Sequence, residues 1–163
     1  MGLEVRLAHG DEVGEVGRIT VEAYQADGLL EQDDPYAARL ADAADRAAQA
    51  ELWVVVEEAR LLGSVTYCVH GSPWAELAGE DEGELRMLSV TAGARRRGVA
   101  RSLVRHCISR SWTLGHTALV LSSLPEMHAA HRLYESFGFV RTPELDWSPM
   151  GGVQLLGMRL TLT

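Results

Sequence analysis

Residues 95–104 read RRRGVARSLV, and the reading of this stretch decides the fold. Three arginines run into Gly98, and a helical stripe follows at once: Ala100, Leu103, Val104, Cys107, Ser111 and Leu114. That spacing predicts a helix from about Gly98 to Leu114. Backbone N–H groups at such a start have no partners within the helix. They point at whatever lies ahead of it, and the helix dipole favours negative charge there. Gly98 lets a bulky anion approach the backbone, and guanidinium groups beside it offer bidentate donors to phosphate oxygens. Three readings stand side by side: a solvated basic helix start, a nucleic-acid patch, and a cradle for phosphate or pyrophosphate.

The rest of the chain weighs on that choice. The 163 residues carry 23 acidic against 15 basic side chains, a net charge of −8. General nucleic-acid binding needs a basic face, so that reading recedes. The phosphate-loop pattern GxxxxGK[ST] and the dinucleotide pattern GxGxxG are both absent. With 47% hydrophobic and 23% charged residues the chain reads as one globular domain over 1–163. Cys68 and Cys107 lack CxxC spacing and are read as buried thiols outside any disulfide. The start, MGLEVRLAHGDE, has no apolar h-region, and Arg6 stands where myristoylation wants Ser or Thr. No apolar run is long enough to span a membrane. A cytoplasmic protein is expected.

Working outward, Glu84 to Val90 reads as a strand before the arginines and Thr117 to Ser123 as a strand after the helix. Pro125 to Phe137 is a second helix, closed by Gly138 as a left-handed cap. Phe139 to Arg141 and Val153 to Leu162 are strands. Upstream, Leu3 to Ala8 alternates as a strand, and Val13, Val16, Ile19 and Ala23 keep helical spacing. Asp34-Pro35 is a helix start leading into an alanine-rich helix that ends at Ala50. Leu52 to Val56 and Leu61 to His70 form a hairpin turning at 57–60, and 71–83 is a loop. The order βααβββαβαββ contains a strand–helix–strand unit that requires a right-handed crossover. It predicts an α/β (α+β) domain with a mixed, mostly antiparallel sheet of about seven strands flanked by about four helices.

R-x-x-G-x-A at Arg95 to Ala100, behind the strand Glu84-Leu85-Arg86-Met87-Leu88-Ser89-Val90, resembles the acetyl-CoA signature of the GNAT N-acetyltransferase superfamily. His131-Arg132-Leu133-Tyr134-Glu135-Ser136-Phe137-Gly138-Phe139 is similar to that family's closing element, A-x-x-L-Y-x-x-x-G-F. The resemblance in element order spans nearly the whole chain, and its sharp motifs cover 84–139. It implies an acetyl-CoA-dependent N-acetyltransferase acting by direct attack in a ternary complex. Leu88, Ser89 and Val90 would offer backbone groups to the pantetheine arm. The amides of Arg95, Arg96, Arg97, Gly98, Val99, Ala100 and Arg101 would hold the pyrophosphate. Tyr134 matches the tyrosine whose hydroxyl lies near the thioester sulfur. Where the family often has asparagine, seven residues before that tyrosine, Met127 stands here, so that side-chain contact to pantetheine is either missing or replaced, with His128 as the replacement. A non-catalytic acyl-CoA-binding or regulatory module on the same fold is the alternative.

Acetyl transfer to an amine needs a proton acceptor, a stabilised oxyanion and a protonated leaving thiolate. Tyr134 is the candidate acid. The backbone N–H of Val90 is a candidate oxyanion donor. Glu84, fourteen residues before Gly98, is the candidate base, a position that resembles the catalytic glutamate of some histone-acetylating relatives. A solvated or substrate-binding carboxylate, a water chain, and His70 as base stand beside it. His128, His131 and Glu135 share a helix face, but the pair reads as exposed histidines and no metal is expected. Acceptor specificity is assigned to Tyr24, Glu31, Asp33, Asp34, Tyr36, Trp74 and Glu80-Asp81-Glu82. Tyr24, Tyr36 and Trp74 are the substrate-binding candidates. Acidic and aromatic residues together suit a small cationic amine. The expected partners are acetyl-CoA and an amine acceptor, without nucleic acid or membrane; a homodimer is left open.

Overall fold

The computed structural model describes residues 2–30 and 34–163. Glu31 and Asp33, named above for acceptor specificity, lie outside the described residues. The chain resolves into two compact units, one of residues 1–67 and 87–106, the other of 68–86 and 107–163.

In the first unit, β1 (Glu4–Leu7), β2 (Glu51–Glu57) and β3 (Arg60–Val69) pair antiparallel in that order. Helices α1 (Val13–Ala26), α2 (Tyr36–Ala41) and α3 (Ala43–Gln49) pack with them. Leu52, Val54 and Val56 alternate along β2 and meet Val16, Ile19 and Ala43 in one apolar cluster. Each of the valine, leucine and isoleucine side chains contributes roughly 1.5–3 kcal/mol by leaving water. The β2–β3 turn is made by Glu58 (φ 50°) and Ala59 (φ 69°), both left-handed, as a two-residue hairpin loop demands. The end of β4 (Glu82–Val90) and the start of α4 (Val99–Thr113) belong to this unit.

In the second unit, the first half of β4 pairs parallel with β5 (Ala118–Ser123), from Glu82↔Ala118 to Leu85↔Leu121. β5 pairs antiparallel with β8 (Val153–Thr161), on which β6 (Val140–Arg141) and β7 (Trp147–Met150) also pair. Helix α5 (His128–Ser136) follows β5. Cys68 and Cys107 are buried and in no disulfide. Among the described residues no helix is long and apolar enough to cross a membrane.

The predicted class holds: a mixed, mostly antiparallel α/β arrangement. Among the described residues there are eight strands and five α-helices, against the seven or so and four or so expected. The extra strand is β7, which Pro149 and a register shift against β8 hide from a period-two pattern. The extra helix arises at Asp42 (φ −82°, ψ 60°), where the alanine-rich segment breaks. The Asp42 carboxylate accepts the Asp45 amide at 3.2 Å, so a local cap overrides alanine's helix propensity. The helix expected from Pro125 begins at His128, because 125–127 form a turn closed by the Met127 amide on the Leu124 carbonyl at 3.1 Å.

Candidate functional site

In the first unit the decisive feature is the end of β4. Pairing of β4 with β5 stops at Leu85, and Met87 takes a left-handed conformation, φ 53°. For a non-glycine residue this stores about 1–3 kcal/mol and must be held by its surroundings. Arg46, on α3 and fully buried, supplies the hold. Its Nη1 donates to the Leu40 carbonyl at 2.7 Å and to the Met87 Sδ at 3.2 Å. Thr20 Oγ1 lies 3.5 Å from both Arg46 Nη2 and Ser89 Oγ. Ser89 Oγ also pairs with Ser64 Oγ at 3.2 Å. Gly63 on β3 completes the fit: a Cβ there would lie 2.7 Å from the Ser89 carbonyl and 2.8 Å from the Val99 side chain. Leu88, Ser89 and Val90 are thus held by groups from α1, α3 and β3. Sequence reasoning missed Arg46, Thr20, Ser64 and Gly63. The available signal was an arginine on the apolar face of an alanine-rich helix.

Beyond β4 a single 3-10 turn, Ala92–Ala94, leads to the arginines. Arg96 (φ 66°) and Gly98 (φ 79°) are both left-handed, and the amides of Val99, Ala100 and Arg101 open α4. A Cβ on Gly98 would meet no atom within 4 Å, so the space ahead of the backbone is open. The flanking guanidinium groups turn aside. Arg95 pairs with Asp27 at 2.7 Å and Arg97 with Glu57 at 2.7 Å. Arg96 is exposed and makes no ion pair among the described residues. The donors aimed forward are backbone amides, which suits a pyrophosphate.

Tyr24 and Tyr36, both half-buried in this unit, stand edge to face with centroids 6.5 Å apart. The Asp34 carboxylate accepts the Tyr36 amide at 2.9 Å, the cap expected at Asp34-Pro35.

In the second unit Glu84 is fully buried. Its Oε1 accepts the amides of Glu76, Leu77 and Ala78 at 2.9, 2.7 and 3.1 Å. Its Oε2 is buried without a partner. Burial pushes the carboxyl above the ordinary carboxylate range, against the three amide bonds and the charge of Arg86, which pull it down. Arg86, two residues on, is buried and donates Nη1 to the Trp74 carbonyl at 2.8 Å. Trp74 is itself buried, so the structure gives its backbone rather than an exposed ring to this cluster. His70 spends its Nδ1 on the Ala78 carbonyl at 3.0 Å. One loop, 72–78, is therefore tied down by Glu84 and Arg86 of β4.

Tyr134 on α5 is buried, its ring 5.7 Å from that of Phe139. Burial raises its pKa well above the ordinary phenol value, so the hydroxyl stays protonated. His131 Nε2 meets Ser123 Oγ at 3.1 Å, and Ser123 Oγ donates to the Met127 Sδ at 3.5 Å. His128 and His131 stand edge to face at 6.2 Å. Among the described residues no group of three His, Cys, Asp or Glu could hold a metal ion.

The chain is similar in sequence and fold to known proteins. The profile of the acetyltransferase (GNAT) family matches residues 16–139. The chain belongs to that family. It is 34% identical over 96 residues to an N-acetylaspartate synthetase of Danio rerio, covering 58% of this chain and 31% of that protein. The chain spans about a third of the length of curated N-acetylaspartate synthetases that it matches. A GCN5-related N-acetyltransferase from Kribbella flavida shares 25% identity over 98% of both chains, with a TM-score of 0.71. A Salmonella typhimurium protein solved with its cofactor acetyl-CoA shares 20% identity, with a TM-score of 0.69, over 100% of this chain and 95% of that one.

Proposed function

We propose that the chain is an acetyl-CoA-dependent N-acetyltransferase that moves an acetyl group to a primary amine by direct attack in a ternary complex. The observation that carries this is the start of α4: open amides behind a left-handed Gly98, following a β4 end locked in place at Met87. The residues fit acetyl-CoA. Amides from Arg95 to Arg101 bind the pyrophosphate, and the backbone of Leu88, Ser89 and Val90 pairs with the pantetheine arm. The Val90 N–H stabilises the tetrahedral oxyanion. Glu84 takes or relays the proton of the attacking ammonium, its raised pKa bringing it nearer working pH. Tyr134, kept protonated by burial, donates to the departing thiolate. No covalent enzyme intermediate is needed, and positioning supplies much of the rate.

A thiol-release assay with acetyl-CoA against an amine panel tests this. Turnover of at least one primary amine is expected. Acetyl-CoA binding by calorimetry without any turnover would leave the non-catalytic module as the correct reading. Gly98→Glu places a carboxylate before the cradle and should weaken acetyl-CoA binding by about a hundredfold or more. Unchanged affinity in that folded variant would overturn the pyrophosphate site.

A further inference from the structure

We infer that Arg86 anchors a carboxylate of the acceptor, so that the amine acetylated belongs to an amino-acid-like molecule. The inference rests on the N-acetyltransferase reading above and names its acceptor class. It departs from the cationic amine expected from the acidic loops.

The Arg86 side chain is only 6% exposed. A guanidinium carries five N–H donors. Here a single donation to the protein is made among the described residues, from Nη1 to the Trp74 carbonyl at 2.8 Å. A charge withdrawn from water to this extent calls for a counter-charge and further hydrogen bonds. The protein offers neither in full. Glu76 Oε1 stands 3.8 Å away, beyond hydrogen-bond reach. Glu84 has committed Oε1 to three loop amides. The Trp147 ring, 5.9 Å from the guanidinium carbon, steadies the cation without taking its donors. Trp147 is in turn fixed by its indole N–H on Ser122 Oγ at 3.0 Å. The group is positioned from two sides, and its planar fork is left for a planar bidentate partner. A carboxylate has that geometry.

Strand alternation sets Glu84 and Arg86 on one face of β4, about 7 Å apart along the strand. A carboxylate at Arg86 sets the acceptor's amine on the strand face that also carries Glu84, whose Oε2 is buried without a partner. Glu76 is the protein's own carboxylate nearest the fork, and it competes with the ligand.

The test compares each of several amino acids with its own α-carboxamide in thiol-release assays of the full chain. Acidic, neutral and basic side chains are all included. Wild type should favour the acid over the amide by tenfold or more in kcat/KM. Arg86→Lys keeps the charge and loses the fork. It should cut that preference at least tenfold, with the KM for acetyl-CoA unchanged. Glu76→Gln, on an exposed loop, should lower the KM for the acids and leave that for the amides alone. Equal turnover of acids and amides by wild type overturns the inference while the transferase reading stands. So does an undiminished preference in folded Arg86→Lys. If that variant does not fold, an unchanged or raised KM for acids in Glu76→Gln is overturning by itself. Absence of turnover with every amine ends both readings together.

Discussion

The guanidinium of Arg46 reaches the sulfur of Met87 at 3.2 Å, so the left-handed residue of β4 is held from a helix forty-one positions earlier. Arg46→Met leaves the Leu40 carbonyl and its neighbours without their donor and releases Met87. A loss of about 2–4 kcal/mol in unfolding free energy is expected, measured by urea denaturation. Acetyl-CoA affinity in the surviving folded protein should fall as well, because Leu88 to Val90 follow Met87. Wild-type affinity there would separate the buried network from the cosubstrate site.

Glu84 invites two substitutions with opposite outcomes. Glu84→Gln keeps an oxygen for the amides of Glu76, Leu77 and Ala78 and removes a buried charge. Its thermal stability at neutral pH should equal or exceed wild type, while kcat drops by about a hundredfold. Glu84→Ala strands three amide donors and should unfold several degrees earlier. Full activity in the glutamine variant would assign Glu84 to holding the loop alone. As its carboxyl is raised by burial, the wild-type rate should fall on acidification through a value above the ordinary carboxylate range.

Tyr134→Phe retains the ring against Phe139 and loses only the hydroxyl. We expect kcat to fall about tenfold or more, with little change in the KM for acetyl-CoA. Wild-type kcat would reduce Tyr134 to packing.

Stability has its own pH signature at Glu12. Its carboxylate takes both Nη atoms of Arg6, at 2.9 and 2.8 Å, and the His9 amide at 2.7 Å. Arg6 foremost holds its pKa down to about 2. A depressed folded pKa gives stability that is present above the unfolded value of 4.5 and is lost as pH falls toward 2. Glu12→Gln should therefore cost about 1–2 kcal/mol at pH 7, a difference that closes across that acidic window in denaturant titrations.

Local signals carried most of the fold into the sequence. The stripe behind Gly98, the β-branched run at 52–56 and the hairpin at 57–60 all depend on neighbours a few residues apart. What escaped depends on distant partners. Arg95 and Arg97 read as forward donors, yet they meet Asp27 and Glu57, 68 and 40 positions away. Arg86 lies inside an apolar strand between Leu85 and Met87, and only the loop folding over it reveals an uncommitted fork. The break at Asp42 was local, but strong alanine propensity masked its capping side chain. Trp74 reads as a substrate-binding candidate from its polar loop, yet it is buried, with its carbonyl held by Arg86.

The ion pairs of Arg95 with Asp27 and Arg97 with Glu57 bear on how ionic strength acts on cosubstrate capture. Three unencumbered guanidinium groups would make binding fall steeply with added salt. Amide dipoles carry no net charge, and two of the three arginines are already neutralised by surface carboxylates. Added salt weakens those pairs at the same time as it screens the phosphates, so the two effects oppose one another. Capture of acetyl-CoA should therefore hold nearly constant over a range of salt in which an open polycationic patch would release it.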